Sequence, residues 1–180
     1  MKSNRAQIQT GQLFIFIIVG FAFLILIGVF LYSFNIITTS LAGVESAGQV
    51  NFSNATANTL GQLNTGLLNN GGLIALFLLF GQVIAMIFVA YLTRESNPSV
   101  FFIFEILILI FAYILATYIS NTYELVIASV PFESIFTNNL NFATTFMLRL
   151  PLIVVVVGVI MMIVAYAGIP KTKEEEVAGF

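Results

Sequence analysis

The sequence predicts an all-α integral membrane protein of four transmembrane helices, with amphipathic interfacial segments in its two outer loops. Three observations lead there. Of the 180 residues 59% are hydrophobic and only 8% charged, with a mean hydropathy of +1.05, whereas soluble domains keep about a quarter of their residues charged. Four separate runs are long and apolar enough to cross a hydrocarbon core of roughly 30 Å, which takes about 20 helical residues. The basic residues sort to one side of these runs, as cytoplasmic loops enriched in Lys and Arg require.

The first run covers residues 13–37 and follows Lys2 and Arg5. Ser40-Leu41-Ala42 has the small residues of a signal-peptide cleavage site. A signal core is about 7 to 15 residues, so the longer run is expected to stay as an anchor. Residues 38–71 form an outer loop rich in Asn, Ser, Thr and Gly. Leu60, Leu63 and Leu67 recur in it at helical spacing, which predicts a short amphipathic helix on the membrane surface. Asn51-Phe52-Ser53 and Asn54-Ala55-Thr56 match the glycosylation sequon, so Asn51 and Asn54 are candidate acceptors, with chance matches in an Asn-rich loop as the competing reading.

The second run covers residues 73–92 and the third 98–119. Between them lie only Thr93-Arg94-Glu95-Ser96-Asn97, and Pro98 occupies a first helical position, where its missing N–H removes no bond. So short a connection predicts an antiparallel hairpin. In the second outer segment, residues 120–147, Asn121 with Glu124 resembles a helix cap, and Pro131 can open a new helix whose apolar stripe is Phe132, Ile135, Phe136 and Leu140. That helix is expected in the outer interface or over the bundle mouth. The fourth run covers residues 150–169, and residues 171–180 form a charged tail, so residues 1–170 constitute one membrane domain.

Orientation follows from the six basic residues. Lys2, Arg5, Arg94, Lys171 and Lys173 share one side of the four runs and only Arg149 falls on the other, which places both termini in the cytoplasm. Tyrosine prefers the boundary of headgroups and hydrocarbon. Tyr32 and Tyr118 fall near outer ends and Tyr91 and Tyr166 near inner ends, in agreement with the runs, while Tyr113 lies within one.

The sequence has no His, Cys, Trp or Asp. Ser/His/Asp and Cys/His nucleophiles are therefore impossible within the chain, and the usual haem, zinc and iron–sulfur ligands are missing. No cofactor is expected, and a net charge of -2 gives no reason to expect nucleic acid.

The polar residues inside the runs carry what functional signal there is. Glu105 lies roughly 10 Å into the third run, where an ionisable group is costly and normally faces protein or water. Ala112 and Ala116 share its helical face, so that face is expected to pack closely against another helix. Two readings stand. Glu105 is a proton or cation site, with Gln82 as polar neighbour and Arg94 as counter-ion, or it is a structural hydrogen bond between helices. Gly81 and Ala85 form a small-xxx-small pair in the second run, and Gly20, Gly28, Gly158 and Ala165 add small positions elsewhere, all expected to bring helices together. Arg149 at the outer edge is placed to pair with Glu124 or Glu133, or to reach lipid headgroups.

The expected function is non-enzymatic. The chain reads as a structural or accessory subunit of a larger membrane assembly, in a prokaryotic plasma membrane or a viral membrane, with the bilayer, other subunits or copies of itself as partners. The alternative is a small oligomeric channel, pore or holin-like protein that uses Glu105.

Overall fold

A computed structural model describes residues 6–44, 52–93 and 101–166. Its elements are α1 (Ala6–Ala42), α2 (Phe52–Thr56), a π-helical turn (Ala57–Gly61), α3 (Gln62–Thr93), α4 (Phe101–Ile127), a second π-helical turn (Ile135–Asn139), α5 (Asn141–Leu148) and α6 (Leu150–Tyr166). Among the described residues there is no strand. Three helical stretches are long and apolar enough to cross a membrane: Gly11–Ala42, Ser53–Leu92 and Phe102–Ile127. The pair Asn141–Leu148 and Leu150–Tyr166, bent by 71° at Arg149, reaches that length only when taken together.

Round the bundle the order is α1, α3, α6, α4, each packed on its two neighbours. α3 and α4 therefore stand diagonally opposite and pack little on each other, which corrects the hairpin expected from their short connection. A short connection holds two helix ends close without fixing which flanks meet. Here the flanks meet elsewhere. α3 runs along α1, where Leu79 faces Gly20 and Leu31 faces Gly71, and α4 runs along α6, where Leu109 faces Gly158.

The outer loop between the first two runs also differs from expectation. In place of a surface loop with a short amphipathic helix, residues 53–92 form one continuous helical stretch of 40 residues, about 60 Å long. The Asn-rich segment gains a helical partner in α1, and tertiary packing outweighs its poor propensity. Asn35 and Asn64 bond across the pair at 2.9 Å. In the second outer segment Asn121 and Glu124 belong to the last turns of α4 and cap nothing.

After Pro131 the chain does turn helical again, with Phe132 N–H bonded to Ser129 O at 2.9 Å. Ile135, Phe136 and Leu140 are buried and Phe132 is half-buried, so this segment closes the mouth of the bundle. Glycine makes the seat for it. The Phe136 ring fills the space a Cβ on Gly28 would need, and the Asn139 carbonyl does the same at Gly72. Phe136 also meets Tyr123 edge to face at 5.8 Å, and Phe132 meets Tyr32 at 5.2 Å.

Candidate functional site

One stripe of α4 faces inward throughout: Glu105, Ala112, Ala116, Ser120 and Tyr123 are all buried. The spacing is that of a single helical face. Its small residues let neighbouring backbones approach, and its polar residues sit at the two ends.

Toward the N-terminal end of α4 Glu105 is 7% exposed and lies beside Tyr166 of α6. The two groups are close enough to interact electrostatically, yet they do not meet in hydrogen-bond geometry. Glu105 Oε1 and Tyr166 OH are both buried without a hydrogen-bond partner. Phe102 packs edge to face on the Tyr166 ring at 5.2 Å and helps hold it there. The structure buries the Tyr166 hydroxyl next to the one acidic residue of the four apolar runs.

At the C-terminal end of α4 the polar groups are satisfied. Tyr123 OH and Thr144 Oγ1 lie 3.1 Å apart, the Thr144 hydroxyl donates to Phe136 O at 3.0 Å, and the Ser120 hydroxyl donates to Leu148 O at 3.0 Å. These bonds tie the mouth-closing segment to α4. The sequence reading missed Tyr123 and Thr144. Tyr123 was nonetheless within reach, since it falls on the same helical face as Glu105, Ala112 and Ala116.

Gln82 is half-buried on α3 and turns toward α1, with its Oε1 3.7 Å from where a Cβ on Gly20 would lie. That places it on the α1–α3 seam while Glu105 lies on the α4–α6 seam. The structure does not bring the two together as neighbours. Gln82 Oε1 and Gln12 Oε1 are also buried without partners, so each of α1, α3, α4 and α6 carries at least one such polar atom. Gln12 was missed because it stands at the start of its run, where a polar residue reads as a boundary.

Gly81 and Ala85 were expected to bring helices together. Within the chain they do not: both are exposed, and a Cβ added at Gly81 would meet nothing within 4 Å. The buried face of α3 is Gly71, Gly72, Ala75, Leu79, Met86 and Ala90, and Gly81 stands two residues from Leu79, on the opposite side of the helix.

Arg149 is exposed at the bend between α5 and α6, and Glu124 and Glu133 are exposed as well. Among the described residues no ion pair joins them. Asn54 is exposed on α2, but Thr56 of its sequon is 5% exposed and the whole tripeptide is helical. Arg94 and Asn51 lie outside the described residues.

A carboxyl beside a hydroxyl, buried in an apolar seam, can exchange a proton or hold a water between them. Among the described residues no group of three acidic side chains is placed to hold a metal ion. Comparison with protein-family models, with curated proteins and with solved structures gives no match.

Proposed function

We propose that the chain is a non-enzymatic, four-pass membrane protein with both termini in the cytoplasm, and that it serves as a structural or accessory subunit of a larger membrane assembly. The bent α5–α6 pair supplies the fourth pass in this reading, with Arg149 at the outer surface and α5 lying across the bundle mouth. The distribution of basic residues supports the orientation.

The observation that supports the assembly role most is the outward turn of Gly81 and Ala85 on α3. A small-residue surface permits close approach of another helix, and this one is unused inside the chain. Its neighbours Phe77, Ile84 and Phe88 are 74%, 65% and 59% exposed, so the whole face is free to take a partner. A ring of carboxylates around an axis between copies is less well supported. Glu105 turns into its own bundle beside Tyr166, away from any surface that a second copy could reach.

The test is purification of the full chain in mild detergent, with its native mass and its companions identified. The expected result is an oligomer or a complex with other membrane subunits. A monodisperse monomer of 19.7 kDa that passes ions when reconstituted alone in liposomes overturns the reading. Loss of that flux in Glu105→Gln assigns the conduit to this carboxyl.

A further inference from the structure

We draw no further inference here: the strongest candidate, the buried Glu105–Tyr166 pair on the α4–α6 seam, belongs to the site already described, and its unpartnered oxygens are sealed from the apolar groove beside it that Phe102, Val159, Met162, Ile163 and Tyr166 line.

Discussion

The bundle is built from two helix pairs, α4 with α6 and α1 with α3, and over the described residues α4 runs for about 40 Å while α1 and its antiparallel partner run for about 55 and 60 Å. The two pairs also differ in where their polar groups lie. In α4–α6 the unpartnered Glu105 and Tyr166 lie toward the N-terminal end of α4, and the bonded Ser120 and Tyr123 lie at its other end. In α1–α3 unpartnered oxygens of Gln12, Gln82 and Asn64 are spread along the pair, and Asn35 and Asn64 bond across it. The register between α1 and α3 is set where Asn35 and Asn64 meet, and both pairs carry helices apolar enough to cross a membrane.

The contrast can be broken where the mouth segment joins the pairs. Phe136→Ala removes a ring that is 1% exposed and wedged between Gly28 and Tyr123. A loss of about 3–5 kcal/mol is expected, read as a lower midpoint when the detergent-solubilised protein is unfolded. Gly72→Ala is next. Its Cβ would press on the backbone carbonyl of Asn139, which cannot swing aside as a side-chain tip can. About 1–3 kcal/mol of destabilisation is expected, and the same measurement on Gly81→Ala is expected to stay within about 0.5 kcal/mol, since open space surrounds that position. If the two glycines respond alike, the inward and outward faces of α3 are wrongly assigned.

Smaller effects sharpen the polar ends. Asn64→Ala removes the donor that Asn35 Oδ1 accepts, and a loss of about 1 kcal/mol is expected, seen as faster amide exchange over the outer ends of α1 and α3. No loss from that change would mean that the cross-helix bond does not set the register. Tyr166→Phe is expected to leave stability unchanged or slightly raised, because the hydroxyl it removes has no hydrogen-bond partner. A clear loss would show a Glu105–Tyr166 bond in the membrane.

Much of the inward face of α4 could be read from the sequence. Helical spacing alone puts Ala112 and Ala116 under Glu105, and burial of all three follows that face. The same method failed on α3, where Gly81 and Ala85 looked like a contact and point outward. In a helix that is apolar all round, small residues show where close approach is permitted, and only the neighbouring helix shows where it happens. Tyr166 illustrates the limit from another side. Position along the run makes it a boundary residue, while burial of its hydroxyl depends on Phe102 and Glu105 arriving from α4.

The sequence by itself determined which stretches are long and apolar enough to cross a membrane, because hydropathy and length are local properties that survive whatever the helices do next. It also determined that Glu105 must turn toward protein, since an ionisable group facing lipid is too costly. The tertiary structure decided the order α1, α3, α6, α4, the helical state of residues 53–92 and the seating of Phe136 on Gly28. Those choices depend on shape matching between surfaces that are chemically alike, so the free energy that selects them appears only when the helices meet.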